Sequence, residues 1–549
     1  MLFRSVQFIQ SPYLNGSLYK ENRLDKLDIT LKDSVFATIF KFFHTYNFTI
    51  REDVLIKEVA VDPEMIGYVY ESLANAAEEI YTNHDLGIFY TPREEVEFMR
   101  EDALVEYLSN KINAPKDIFY DLLFVDDKSE VEHKITKLNL WDKIGETVNE
   151  ISVVDPACGS GAFLVGMLMA LSEIITIVNR HIEGKTKDYD IKKRIIERNL
   201  YGVDVMPWAV QCAELRLWLQ LVIESDLKKE ELKQGPILPN LDLNFMVGDS
   251  VVQQAGGIDT DFNLKDIKIP PPIKKRIDML AEEKRKYFNN ERTALLKDKK
   301  GFMQKEIKIF TDFIDGRIKS LNDKIPILRS KFTNTSFSAA GFSNEVVSEK
   351  DREIAENEVK KIKKDIEKLH TIKDIIQDPK KKPFIWEMDF AEVFLNKKGF
   401  DIVIGNPPFL RQEDISPPNK LKGEIAKEDK EKYKKMLNNS VQNKYPHIKS
   451  LPSLSGRSDL YIYFYFIGLS LLNPDGIFSF ITSNSWLDVD YGKNLQEFLL
   501  EYVPIVGIYD STKRSFEHAA INTVITLFKA LRIQRGNVTG YTAADHTAK

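Results

Sequence analysis

The spacing of apolar positions changes character near residue 150. Upstream, they recur at helical intervals. In VDPEMIGYVYESLANAAEEI, Asp62 stands where a helix N-cap belongs and Pro63 at the first helical position, with Ile66, Val69, Tyr70 and Leu73 on one face. YTPREEVEFMREDALVEYL repeats the device. There Thr91 is the expected cap, Pro92 the first helical residue and Glu94 the partner in a capping box, ahead of Val96, Met99, Leu104 and Leu108. From Ile151, short apolar runs end in an acid or a glycine turn and lead into amphipathic segments, as in ISVVDPACGSGAF, RNLYGVDVMPWAVQCAELRLWL and LNFMVGDSVV. That is the rhythm of a parallel sheet with crossover helices. It resumes at FDIVIGNPPF and continues through DLYIYFYFIGLSLLNPDGIFSFITSNSW, VPIVGIYDSTKRSF and AAINTVITLFKA.

The pattern divides the chain into an N-terminal helical region (1–150), an α/β domain in two pieces (151–255 and 383–531), a charged helical insertion between them (256–382) and a tail (532–549). The apolar stretch AFLVGMLMALSEIITIV is broken by Ser172 and Glu173 behind a glycine loop, and reads as a buried helix rather than a membrane span. The two cysteines, Cys158 and Cys212, exclude a disulfide framework and a cysteine-based zinc site, and fit a cytoplasmic protein. The net charge of −6 hides an asymmetry. Lys265 to Lys382 holds 30 Lys and Arg against 20 Asp and Glu, whereas the whole chain holds 77 against 83. The insertion is therefore a candidate phosphate-facing surface, or simply a solvated lysine-rich face.

Candidate chemistry gathers at the ends of the expected strands. In DPACGSGAF, Gly159 and Gly161 allow a tight turn with backbone amides close to a ligand. No Walker lysine follows, and Leu164 stands where a dinucleotide fingerprint needs glycine, which favours a small cofactor without a pyrophosphate. Asp155, Asp204 and Asp249 end three successive strands, where ligands of open α/β sheets bind. Asp204 suits ribose hydroxyls and Asp249 an exocyclic amine. Asn406, Pro407, Pro408 and Phe409 follow a fourth strand. The exocyclic amine of adenine is a poor nucleophile because its lone pair is delocalised into the ring. The Asn406 side-chain oxygen and the stiffly held Pro407 carbonyl can accept its two N–H hydrogens and localise that pair. Phe409 offers a flat face for a base swung out of its stack.

DPACGSGAF followed by NPPF resembles the S-adenosylmethionine-dependent N6-adenine DNA methyltransferases of the gamma motif order. YLNGSLY, VAVDPEMIGYVYESL and FDIVIGNPPF look most like the methyltransferase part of type IIG restriction–modification and BREX phage-defence enzymes. The resemblance implies a Rossmann-like sheet of seven mostly parallel strands with a helical N-terminal domain and a helical insertion. It implies S-adenosyl-L-methionine as cofactor, and double-stranded DNA as substrate. It assigns Thr91, in GIFYTP, to the methionine carboxylate and Phe464 to a flank of the cofactor adenine. Phe516, in RSFEHAAINTVITLF, would help hold the flipped base. Asp155, Pro156, Ala157, Gly159, Gly161, Asp204, Val205 and Asp249 would complete the cofactor site. A separate recognition or restriction subunit is an expected partner, because the family's target-recognition domain is not visible in the chain. A membrane partner and a metal are not expected. Other readings of the same corner are an rRNA or protein-glutamine N-methyltransferase, or a partner-dependent part of a fused restriction–methylation enzyme.

Overall fold

The computed structural model describes residues 32–45, 47–48, 60–61, 91–182, 186–223, 239–255, 258–260, 269–330, 349–379, 382–418, 425–446, 448, 451, 453–510 and 522–532. The expected helix after Asp62 and the residue Phe516 lie outside them.

Seven strands form the central sheet: β1 (Val153–Asp155), β2 (Leu200–Asp204), β3 (Phe245–Val247), β4 (Phe400–Gly405), β5 (Leu472–Ser483), β6 (Ile505–Asp510) and β7 (Thr523–Lys529). Their spatial order is 3-2-1-4-5-7-6. The first five run parallel, and β7 is antiparallel to both β5 and β6. This order places the carboxyl ends of β1, β2, β3 and β4 side by side along one edge, with the chain reversal between β1 and β4 at its centre. An open sheet binds ligands there.

The strands alternate between two hydrophobic cores, as a sheet covered on both faces requires. Val153, Ile402, Ile404, Ile477 and Ile481 face one core; Val154, Val203, Val403, Phe478 and Phe480 face the other. The first core is covered by α1 (Arg93–Ile112), α2 (Ala162–His181) and α3 (Pro207–Ile223). Among the described residues, α2 is the one helix long and apolar enough to cross a membrane, but two-thirds of its apolar window is buried inside the protein.

Between β3 and β4 come α4 (Pro271–Phe288), α5 (Lys299–Ser330) and α6 (Glu349–Gln377), which share a third core around Phe302, Phe310, Ile314, Ile372 and Ile376. Ile385, Met388 and Ala391, just before β4, enter the same core and seat these helices on the sheet domain. A partly buried Lys284 reinforces the join, with its ammonium 3.0 Å from Glu306 and 3.2 Å from Glu392. The second face of the sheet is closed by α7 (Lys427–Lys444) and α8 (Leu460–Leu471).

One local expectation fails. Helix α1 begins at Arg93, Pro92 occupies the cap position with extended backbone, and no side chain caps the helix. Thr91 is not the N-cap, and the capping box with Glu94 does not form. The apolar positions are as expected, since Val96, Met99, Leu104 and Leu108 are all buried.

Candidate active site

The loop after β1 is shaped by its two glycines. Gly161 has φ +83°, and a Cβ there would lie 2.8 Å from the Ala213 Cβ on α3. Both the left-handed backbone and the close approach exclude a side chain. Gly159 has φ +50°, and a Cβ on it would meet nothing within 4 Å. The loop is thus packed behind Gly161 and open in front of Gly159, as a backbone cradle for a ligand must be.

The three acids take different partners. Asp155, almost fully buried, accepts the Ala157 N–H on Oδ1 at 3.0 Å. Burial raises its carboxyl to about 8, opposed by that N–H and aided by the charge of Asp204. The Asp155 side chain also lies against Gly405 at the end of β4, where a Cβ would come within 2.6 Å of Oδ1. Asp204 accepts the Gly159 N–H on Oδ2 at 2.9 Å and the Met206 N–H on Oδ1 at 2.8 Å. The Val205 N–H also bears on this carboxylate, so of its roughly four acceptor sites at least one remains for a ligand hydroxyl. Asp249 accepts the Val251 and Val252 N–H groups on Oδ1, at 2.9 and 2.8 Å, and the Tyr433 hydroxyl on Oδ2 at 2.6 Å. Burial raises the carboxyls of Asp204 and Asp249, and the hydrogen bonds oppose it.

These strand ends are tied together. Ser250 donates to the Pro156 carbonyl at 2.6 Å, joining the β1 and β3 loops. Ala157 packs against the second core, and Val205 stands exposed beside Asp204. At the corner after β4, Pro407 and Phe409 are buried while Asn406 and Pro408 are partly exposed. Phe409 meets Tyr461 edge to face with centroids 6.3 Å apart. The Asn406 Nδ2 donates to the Thr91 hydroxyl at 3.0 Å, turning the amide's N–H side toward α1 and leaving Oδ1 as its acceptor side. Thr91 therefore joins the corner across 315 residues of chain. Phe464 lies on α8, buried in the second core.

Sequence reasoning missed four supporting residues. Tyr433 reaches Asp249 from α7. Trp386 clamps the β3 turn, its ring N–H donating to the Ser250 carbonyl and its backbone N–H to Gln253 Oε1, both at 3.0 Å. Asp401, inside β4, gathers the Tyr107 hydroxyl, the Asn473 amide, the Ser152 N–H and hydroxyl, and the Lys397 ammonium, all within 2.8 Å. Tyr107, on α1, thereby anchors the N-terminal helix to the sheet. Their signals were faint: a polar residue within an otherwise apolar strand marks Asp401, but nothing local marks Tyr433.

The fold and this strand-end edge define an α/β methyltransferase. The Eco57I restriction-modification methylase family matches residues 198–516, and the MmeI DNA-methyltransferase domain matches residues 129–253. The chain belongs to the Eco57I restriction-modification methylase family. Among relatives, the "Putative type II restriction enzyme and methyltransferase RM.MjaORFECS2P" of Methanocaldococcus jannaschii is 29% identical over 430 residues. The alignment covers 72% of this chain and 34% of that protein. The type II restriction enzyme and methyltransferase RM.Eco57I of Escherichia coli is 26% identical over 28% of this chain and 17% of its own length. DNA methyltransferase A of Bacillus subtilis is 24% identical over 40% of this chain and 21% of its own length. The chain thus matches between 17% and 34% of the length of these relatives.

Proposed function

We propose that the protein transfers a methyl group from S-adenosyl-L-methionine to N6 of adenine in double-stranded DNA, as the methylating part of a restriction–modification or phage-defence system in the cytoplasm. The observation that carries this reading is the Asn406–Thr91 hydrogen bond at the corner after β4, on the same sheet edge as the glycine cradle and the three acids.

The cradle fits the cofactor by its open space at Gly159 and by the acceptor capacity left on Asp204 beyond its backbone N–H partners. Gly159 and Asp155 would hold the methionine end, with Pro156, Ala157 and Gly161 shaping the loop. Asp204 would take the ribose beside Val205, and Asp249 the adenine amine, with Phe464 along the ring. The cofactor supplies an electrophilic methyl group on a sulfonium sulfur. Asn406 Oδ1 and the Pro407 carbonyl would accept the two N–H hydrogens of the target amine, favouring a tetrahedral nitrogen with a localised lone pair. Thr91 fixes which side of the Asn406 amide faces that nitrogen. Phe409, buried against Tyr461, gives the displaced base a rigid apolar face. We assign Phe516 a part in holding that base.

A phosphate-facing surface is available on α6. Lys360, Lys361, Lys364 and Lys368 are exposed, project from one side of the helix and form no ion pair among the described residues. A separate recognition or restriction subunit would complete the assembly. The test is methyl transfer from labelled cofactor to duplex DNA by the wild type and by Asn406→Ala: loss in the variant supports these roles, and an unchanged rate removes them.

A further inference from the structure

We infer that Tyr433 is a positioning residue for cofactor recognition: its hydroxyl orients the Asp249 carboxylate so that Oδ2 offers a single remaining acceptor site to an adenine amine. This rests on the proposed cofactor and on Asp249 as the acceptor for its amine.

A carboxylate oxygen has about two acceptor sites. Asp249 Oδ1 already accepts two backbone N–H groups, from Val251 and Val252. Oδ2 accepts one hydrogen, from Tyr433 at 2.6 Å. One site remains, on the oxygen that Tyr433 holds. The backbone carrying Asp249 is fixed separately. Trp386 donates to the Ser250 carbonyl, Ser250 donates to Pro156, and any side chain at Gly248 would collide with Phe384. The two N–H groups on Oδ1 set the carboxylate plane, and Tyr433 fills one site of Oδ2 and so selects which site is left for a ligand.

The tyrosine itself is well anchored. It is buried in the second core with Leu437 and Val441 on α7. That helix is tied to the loop after the Asn406 corner, because Lys434 donates to Gln412 Oε1 at 3.1 Å and Lys430 to the Glu413 carbonyl at 2.9 Å. Gln254, just beyond the β3 turn, donates to the Met436 carbonyl at 3.3 Å. Packing alone could be met by phenylalanine. The hydroxyl adds a buried donor aimed at one carboxylate oxygen, and burial holds Tyr433 protonated well above the ordinary tyrosine range.

The experiment compares binding of S-adenosylhomocysteine with its 6-deamino analogue, by calorimetry on the full chain. Wild type should prefer the amino ligand. Tyr433→Phe should weaken the amino ligand about tenfold while leaving the analogue unchanged, the scale of losing one hydrogen bond to a charged acceptor. Tyr433→His, which restores a shorter donor, should give an intermediate preference and provides a second reading if the phenylalanine variant unfolds. Equal weakening of both ligands, or no change in either, would overturn the positioning role. If wild type binds both ligands equally, the Asp249 assignment fails and the proposal with it. If the preference shifts as expected but no DNA is methylated, only the proposed substrate fails.

Discussion

Asn406, at the corner after β4, donates its amide N–H to the Thr91 hydroxyl at 3.0 Å. The hydroxyl that local sequence offers to a helix cap is instead used by a tertiary partner. Removing it should leave the fold in place and disorder the amide. Thr91→Val is expected to slow single-turnover methyl transfer on the order of tenfold to a hundredfold, the scale of a small misplacement of a reacting group. Thr91→Ser should recover most of the rate. Rapid-quench measurement with saturating cofactor checks both.

Asp155 gives a pH dependence with a definite sign. Burial raises its carboxyl to about 8 in the folded protein, against about 3.9 in an unfolded chain. The folded state therefore holds this proton more tightly, and its contribution to stability is present below the unfolded value and lost as pH rises through about 8. Asp155→Asn should flatten that fall in a series of urea midpoints between pH 5 and 9, a window set by a carboxyl titrating near 8. Binding of a cationic sulfonium beside the carboxylate favours its ionised form. Calorimetry of S-adenosylmethionine at pH 7 should therefore show proton release, with an apparent enthalpy that varies with the buffer, and S-adenosylhomocysteine should release less.

Asp401 works in the opposite direction. Although burial opposes ionisation, the Lys397 ammonium and the hydroxyls of Tyr107 and Ser152 hold its carboxyl below the ordinary range. Its stabilisation is present above the unfolded value of about 3.9 and lost as pH falls through the lowered folded value. Asp401→Leu leaves Asn473 and Tyr107 without this acceptor, while Lys397 keeps the Glu150 carbonyl, and should destabilise by about 2–5 kcal/mol, about 1–3 kcal/mol for each buried donor left unpaired. Denaturant unfolding at pH 7 checks this.

The lysines of α6 give a salt-dependent prediction. Four cations that each displace a counterion from duplex DNA contribute about 3.6 to the slope of log affinity against log salt. Replacing Lys360, Lys361, Lys364 and Lys368 with glutamine should lower that slope by up to this amount and leave cofactor affinity unchanged. Fluorescence anisotropy with a labelled duplex across a salt series reads it.

Much of the architecture was legible because strand chemistry repeats. The runs of β1, β2 and β4, β-branched in β1 and β4, are buried on both faces, so they read as near-continuous apolar strands, and the acids and glycines at their ends mark the site edge. The local pattern at Thr91 predicts a helix cap, but the structure gives its hydroxyl to Asn406, 315 residues away. Tyr433, Trp386 and Asp401 act through contacts made only when distant segments pack. No spacing along the chain announces that Tyr433 meets Asp249, because the helix carrying it is placed by the second core.

The central claim is adenine methylation at the Asn406 corner. The most direct measurement is digestion to nucleosides, with mass analysis, of duplex DNA incubated with the purified chain, together with any partner subunit, and S-adenosyl-L-methionine. The account predicts N6-methyladenine with the wild type and its loss with Asn406→Ala. Methylcytosine as the product, or N6-methyladenine formed equally well by the variant, would contradict it.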